Sequence, residues 1–412
     1  MKDKKLSNLL YISKYVLPLE TNGNGSRGFH LIKEISQNNI HSTIITSNSN
    51  HLGKTPNLSD SFFYENISNV NFFWLKTLKY KKTTSLRRIL GWIDFEIKLL
   101  YFIFFKKQIR KPDVIIVSSP SILTIISGFI LKVFFKAKLV FEIRDIWPLT
   151  LTEDGRFSKL NPLILILSFL EWFGYKYSDI IVGTMPNLSE HVKNILGFEK
   201  EVFHIPIGFN FEDLDKNESL PEAFFLDKYP KNKFIIGYAG AIGITNALEV
   251  FFECIASLVE VDELYFVIYG EGDLKKEYIK KYGNLPNLSF LPKIEKVHLN
   301  YALSKCDLLY LSTFPSKVWK YGQSLNKIID YMLSSRPILA SYTGYLSMIN
   351  ESECGKIVPS GDLTSLRKEI IRFSKMSSIE LDKMGRKGKD WILANQDYKT
   401  LANKYYSFIK SI

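Results

Sequence analysis

The chain has 412 residues, and at roughly 100 to 200 residues per domain it divides into two domains of about 200 residues rather than one. Hydrophobic residues make up 46% and charged residues 23%, with 30 Phe and 22 Tyr, which excludes a chain without cores. Cys254, Cys306 and Cys354 contain no close pair, which excludes a disulfide framework and a zinc motif and leaves core thiols in a reducing compartment.

Net charge is +12 and unevenly spread: residues 1–205 hold 27 Lys and Arg against 17 Asp and Glu, residues 206–412 hold 27 against 25. The excess concentrates in 76–111, where eleven basic residues face only Asp94 and Glu96, so an anionic partner is expected there. The charged start and the short apolar run 9–16, broken by Ser13 and Lys14, do not resemble a secretory signal, and a cytoplasmic protein is expected. The run Val114 to Leu131 is split by Ser118, Ser119, Pro120 and Ser121, which predicts a strand, a turn and a buried helix in place of a membrane span.

In chain order, β-rich runs alternate with helical patterns, the signature of βαβ units and parallel sheets. The predicted strands of the first half are 9–12, 42–46, 114–117, 139–142 and 180–182, with helices such as 27–37, Ile32 and Ile35 inward, and 122–135. A polar, Pro-containing segment follows, and the pattern restarts with strands at 234–238, 264–268, 288–290, 308–311, 337–340 and 356–358. The predicted fold class is therefore α/β with two Rossmann-like domains: 1–210, a linker over 211–232, 233–385, and a helical segment over 386–412. One helix is expected over 390–409, with Trp391, Ala394, Tyr398, Leu401, Tyr405 and Ile409 on one face.

Three segments carry candidate chemistry. The first strand leads to Gly23, Gly25, Ser26, Arg27 and Gly28 at the opening of a helix, where glycines let backbone N–H groups approach an anion. No Asp or Glu between Glu34 and Asp60 is available to a ribose, so a dinucleotide site is weakly supported. Gly237, Gly240 and Gly243 repeat the arrangement in the second half, ahead of Asn246, and paired glycine turns at strand ends predict a ligand cleft between the domains. A helix near Ser324, with Asn326, would aim its free N–H groups and Lys327 at one anion, and Asp330 sits one turn further on. A cation for phosphate beside a carboxylate for hydroxyls suits a nucleoside diphosphate. The six histidines show no metal spacing, and Asp213-Leu214-Asp215 lies in the polar linker, so no metal or other cofactor is expected.

The order of these strings, with Glu142-Ile143-Arg144-Asp145-Ile146-Trp147-Pro148, Tyr269-Gly270-Glu271-Gly272-Asp273 and Arg336-Pro337, resembles family 4 glycosyltransferases of the GT-B fold over nearly the whole chain. The nearest flavour is similar to bacterial O-antigen and capsule enzymes that transfer N-acetylfucosamine or related aminosugars. The resemblance implies two Rossmann-like domains facing a cleft, with the C-terminal helix returning to the first. It places Gly25 against the donor pyrophosphate, the N–H groups of Ser324 to Lys327 on the distal phosphate and Asp330 on the ribose. Ser26, Arg27, Gly240, Gly243, Asn246, Asn326 and Glu271 complete the donor set it implies. Asp330 matches the second glutamate of the E-x7-E motif and Gly322 stands where the first would be. Asp145 and Arg144 occupy the catalytic position that is often histidine in the family.

These features predict a retaining glycosyltransferase using a UDP-linked sugar, in which the departing diphosphate is stabilised by N–H groups, Lys327 and Arg27. The acceptor expected is a polyprenyl-diphosphate-linked sugar at an anionic membrane surface, with Arg87, Arg88, Trp92, Lys106, Lys107, Arg110 and Lys111 facing the membrane and the enzyme held peripherally on its inner face. A UDP-sugar 2-epimerase would share the fold and donor site and need no membrane face. A nucleic-acid binder would account for the charge, but the basic residues form no recognised module, so nucleic acid is not an expected partner.

Overall fold

The structure is a computed structural model that describes residues 6–18, 26–50, 52–80, 86–119, 121–153, 155, 157–214, 218–221, 223–226 and 229–411. Two units share the chain: residues 1–207 with 398–412, and residues 208–397.

The first unit runs β1 (Asn8–Ile12), α1 (Arg27–Ser36), β2 (His41–Ser47), β3 (Phe62–Ile67), β4 (Val70–Leu75), α2 (Leu86–Tyr101), β5 (Val114–Ser118), α3 (Thr124–Phe135) and β6 (Lys138–Ile143). It continues through α4 (Leu149–Glu153), α5 (Pro162–Tyr177), β7 (Ile180–Gly183), α6 (Leu188–Leu196) and β8 (Val202–His204). Its sheet has the order β3-β4-β2-β1-β5-β6-β7-β8, parallel except where β3 pairs with β4. Parallel register puts Tyr11, Ile44, Phe72, Ile116 and Val140 on one face, with α1 packed there. Ile12, Ile45, Phe73, Val117 and Phe141 fall on the other by the period of two. That second face is covered by α2, α3 and α5. Gly174 of α5 makes the approach possible, since a Cβ there would lie 2.4 Å from Phe141 Cε1.

The second unit begins with two short helices, α7 (Phe211–Leu214) and α8 (Ala223–Leu226), inside the segment that composition marks as a linker. It continues β9 (Phe234–Ala239), α9 (Glu249–Ser257), β10 (Leu264–Tyr269), α10 (Lys275–Tyr282), β11 (Leu288–Leu291), α11 (Lys296–Ser304), β12 (Leu308–Ser312) and α12 (Asn326–Leu333). Then come β13 (Ile338–Ser341), α13 (Met348–Glu351), β14 (Gly355–Val358), α14 (Leu363–Ser374) and α15 (Ser378–Asn395). The sheet, β11-β10-β9-β12-β13-β14, is parallel throughout. The strands are near-continuous apolar runs, as a sheet covered on both faces requires. The α/β class with two Rossmann-like units is thus what the chain forms.

Three features differ from or add to the sequence reading. The helix expected over 390–409 breaks at Gln396 and Asp397: α15 belongs to the second unit, and α16 (Tyr398–Lys410) packs on α1 in the first, burying Leu401, Tyr405 and Ile409. Ala394, expected inward, is exposed. The β3–β4 hairpin is absent from the predicted strands; it turns through Ser68 and Asn69, both at positive φ, the signature of a two-residue hairpin loop. Finally, α2 continues as a π-helical turn, Phe102–Lys106, and stops at Lys107 in the left-handed region.

Because a β-carbon at position 174 has no room, Gly174→Val should cost about 1 to 3 kcal/mol, read as a lower denaturation midpoint with unchanged slope.

Candidate functional site

The second unit gathers its polar groups at the carboxyl end of β9. The turn after β9 and the turn after β10 are locked together: Gly240 N donates to Tyr269 O at 3.0 Å and Ile242 N to Glu271 O at 2.9 Å. Gly270 is at φ +150, and a Cβ there would sit 1.8 Å from Gly240 O, so only glycine permits the pairing. Glu271 contributes through this backbone, its exposed carboxylate pairing with Lys275 at 2.6 Å. Tyr331 of α12 donates to Ala239 O and accepts from Ala239 N, fixing the helix to the strand end.

Beside this turn lies Lys327, on the first turn of α12. Its Nζ donates to Tyr238 Oη at 2.9 Å and Asn246 Oδ1 at 2.8 Å, and sits over the Tyr238 ring 4.4 Å from the centroid. Gly240 leaves the room this side chain occupies, because a Cβ there would lie 2.6 Å from Lys327 Cε and displace it. Both partners are neutral, and among the described residues no carboxylate pairs with this ammonium. Burial lowers its pKa to about 7. Buried Gln323, just before the helix, has no hydrogen-bond partner for either side-chain polar atom among the described residues. A cation caged by neutral groups, beside the start of a helix and an unsatisfied amide, is chemically suited to take an anion.

The remaining donor residues take less central places. The helix starts at Asn326, whose side chain is exposed, with Leu325 as the cap and Ser324 half-buried before it. Gly243 has open space around it, and Asn246 closes a 3₁₀ turn whose last carbonyl accepts from Ser312. Asp330 is held by Lys296; burial raises its pKa against the pull of that cation. Gly322 has φ +100, a backbone in which glutamate is disfavoured, so the missing half of the E-x7-E pattern has a conformational reason.

In the first unit, Gly25 lies outside the described residues, as do Gly23, Lys81 and Lys82, and in the second unit Asp215 does too. Ser26 caps α1 without a side-chain bond. Arg27, expected against phosphate, is instead buried: Nη1 is 2.8 Å from Glu142 Oε2, Nη2 donates to Ile205 O at 2.6 Å and Nε to Pro206 O at 3.2 Å. Glu142 also accepts from Tyr11 Oη at 3.0 Å and Ser118 Oγ at 2.6 Å. Burial would raise its pKa, but Arg27 and the Ser118 hydrogen bond outweigh that and hold it below the usual range. The charge that the sequence offers to a donor is therefore consumed by a non-local carboxylate.

Asp145 is likewise occupied, accepting from Trp147 Nε1 at 2.8 Å and Thr150 Oγ1 at 2.6 Å, which folds its loop around a cis Trp147-Pro148 bond. Half-buried Arg144 is held by its backbone: its N–H donates to Ser119 Oγ and its carbonyl accepts from Thr184 Oγ1. Trp92, expected at a membrane, is 4% exposed: its Nε1 donates to Tyr15 Oη at 2.7 Å and its ring meets Trp147. Arg88 turns inward over the same Tyr15 and Trp92 rings. The reason is helical phase, since Trp92, Phe95 and Leu99 form the side of α2 that faces the sheet. Arg87, Lys106, Lys107, Arg110 and Lys111 are exposed. Lys14, missed by the sequence reasoning, is fully buried after β1, donates to Ser47 and is lowered by burial to about 8.

Residues 233–375 match the family described as Glycosyl transferases group 1. No curated protein matches the chain by sequence. Among solved structures, the chain is similar to sucrose-phosphate synthase from Thermosynechococcus elongatus, at TM-score 0.73 and 15% identity, with 98% of each chain covered. It is similar to the E. coli trehalose-6-phosphate structure bound with UDP-2-fluoro glucose, at TM-score 0.74 and 14% identity over 98% of this chain and 99% of that one. A third is WaaG, a glycosyltransferase involved in lipopolysaccharide biosynthesis, at TM-score 0.65 and 14% identity over 97% and 99%. The likeness establishes the GT-B fold. With the family match over the second unit, the chain is a glycosyltransferase.

Breaking the buried pair by Arg27→Met should destabilise by about 3 to 5 kcal/mol, and adding Glu142→Met should recover much of the loss in chemical denaturation. Since Glu142's folded pKa is depressed, the pair's contribution is present above the ordinary carboxylate range and is lost as pH falls through the folded value.

Proposed function

We propose that the chain transfers a sugar from a UDP-linked donor, with retention of configuration, to a lipid-linked oligosaccharide acceptor. The observation that carries the donor half is the Lys327 ammonium, buried at the N-terminus of α12 with only neutral partners. A diphosphate supplies the missing charge, and the N–H groups of Ser324 to Lys327 with Gln323 supply donors to its oxygens. Asp330 takes the ribose hydroxyls once Lys296, which is largely exposed, swings away. The E. coli structural neighbour is bound with UDP-2-fluoro glucose, which supports a uridine nucleotide here.

Catalysis rests on positioning and on charge stabilisation of the leaving diphosphate. Lys327 meets that charge as it develops. Asp145 holds the loop after β6 in place, and Arg144 is anchored by its backbone on both sides. No carboxylate pair for a double displacement is assigned, and the leaving phosphate takes the acceptor proton on the same face. Transfer needs no metal in this scheme, because cations and helix N–H groups neutralise the diphosphate.

The acceptor half rests on the cationic surface after α2, where Lys106, Lys107, Arg110 and Lys111 are exposed. WaaG's part in lipopolysaccharide biosynthesis supports a lipid-linked glycan, and the string resemblance supports an N-acetylated amino sugar in O-antigen or capsule synthesis. The enzyme then works from the cytoplasm, peripherally on the inner face of the membrane. Among the described residues no helix is long and apolar enough to cross a membrane.

The test is release of UDP from UDP-N-acetylhexosamines on adding undecaprenyl-diphosphate-linked sugar, with the anomer assigned by NMR. Turnover should persist in EDTA, and restoration by Mg²⁺ after a chelator-induced loss would refute the metal-free scheme.

UDP affinity, measured by calorimetry, should fall by about tenfold between pH 7 and pH 9, because Lys327 loses its proton above about 7 and the bound anion favours the charged form. Lys327→Met should bind weakly at pH 7 and lack this slope; an unchanged slope would remove Lys327 from the site.

A further inference from the structure

The three helices on the second face of the first sheet carry apolar side chains where a solvated helix carries charge. Ile97 of α2, Phe105 beyond it, Val133 and Phe134 of α3, and Ile166 and Phe169 of α5 are each more than half exposed. The helices are neighbours: Glu96 of α2 accepts from Thr124 and Ser127 of α3 at 2.7 and 2.6 Å, and Phe129 of α3 meets Phe173 of α5 at 5.1 Å. Phe104 and Phe134 close the gap between α2 and α3 at 4.8 Å. The exposed apolar surface is therefore continuous, beyond what isolated surface residues require.

Its charge is of one sign. α3 has no Asp or Glu; the one carboxylate of α5, Glu171, is buried against His191; on α2, half-buried Glu96 is taken up by Thr124 and Ser127 and Asp94 pairs with Lys98. Each helix joins two parallel strands of the sheet, so all three run the same way and end at one edge. Lys106, Lys107, Arg110 and Lys111 after α2, Lys136 and Lys138 after α3, and Lys176 near the end of α5 are exposed there. Anionic headgroups complement these cations.

We propose that the outer faces of α2, α3 and α5 form one surface that inserts among the lipids of an anionic bilayer, with the cations at that edge meeting the headgroups. This deepens the membrane-acceptor reading above and rests on it, moving the attachment from the basic segment of α2 to an apolar surface of three helices. Long cationic side chains there can bury their stems and keep the ammonium at the headgroup level, as Lys176 already does over the Trp172 ring, 4.7 Å from its centroid.

The test is co-sedimentation of the full chain with phosphatidylglycerol–phosphatidylcholine vesicles at about 0.1 and about 1 M salt, where the screening length falls from roughly 10 to 3 Å. The parent should still bind at high salt, and a V133S/I166S/F169S variant, altered only at exposed positions, should bind at least about tenfold more weakly at both. A K106S/K107S/R110S/K111S variant should lose only the low-salt component. Equal sedimentation of the apolar variant and the parent, or parental binding that vanishes at high salt, would overturn the proposal. So would a parental dimer in light scattering that the apolar variant abolishes, because the face would then bind protein. Calorimetry with UDP separates the two claims: retained UDP binding by a parent that ignores vesicles leaves the donor reading standing, and absent UDP binding by a parent that binds vesicles does the reverse.

Discussion

A lysine ammonium taken out of water and given only a phenol and an amide is left short of a counter-charge, and the second unit is arranged around that shortage. Gly240 leaves the room that Lys327 occupies, Tyr331 fixes α12 to the end of β9, and the Gly240 and Gly270 turns lock so closely that Gly270 tolerates no side chain. Desolvation lowers the lysine to about 7, so the site gains most when an anion arrives to hold the proton. The cost of burying this ammonium and the diphosphate affinity proposed for it have the same physical origin.

The first unit resolves the opposite problem. Arg27 and Glu142 are buried together at the carboxyl end of the sheet, and the residual lone pairs and protons go to Tyr11, Ser118, Ile205 and Pro206. This network ties β1, β5, β6, α1 and the segment after β8 to one point, and its added hydrogen bonds offset part of the cost of burying the ion pair. With its charges spent internally, this unit offers a ligand little at Arg27 or Asp145. What it does present is the Arg144 side chain, on a backbone held from two sides, and the apolar outer faces of α2, α3 and α5. One unit thus keeps an ammonium among neutral partners, while the other balances its interior and carries exposed apolar side chains on its outer helices.

The alternation of apolar runs and helical periods was enough to identify two Rossmann-like units, because a parallel sheet buried on both faces leaves near-continuous strands that no other class produces so regularly. The second glycine turn and Lys327 were legible for a related reason: turn, helix start and cation are close in the chain or at fixed places in the βα unit. Tertiary structure decided the rest. Arg27 stands beside a glycine-rich turn exactly as a phosphate ligand would, and only the arrival of Glu142 and of Pro206, 179 residues away, shows that its charge is already used. Trp92 and Ile97 both sit in a basic, aromatic segment, yet one faces Tyr15 and the other solvent, because helical phase is set by the sheet underneath. Composition records which groups a segment carries. Which of them remain available depends on contacts between distant segments, and those are fixed by packing and by the cost of burying an unpaired charge.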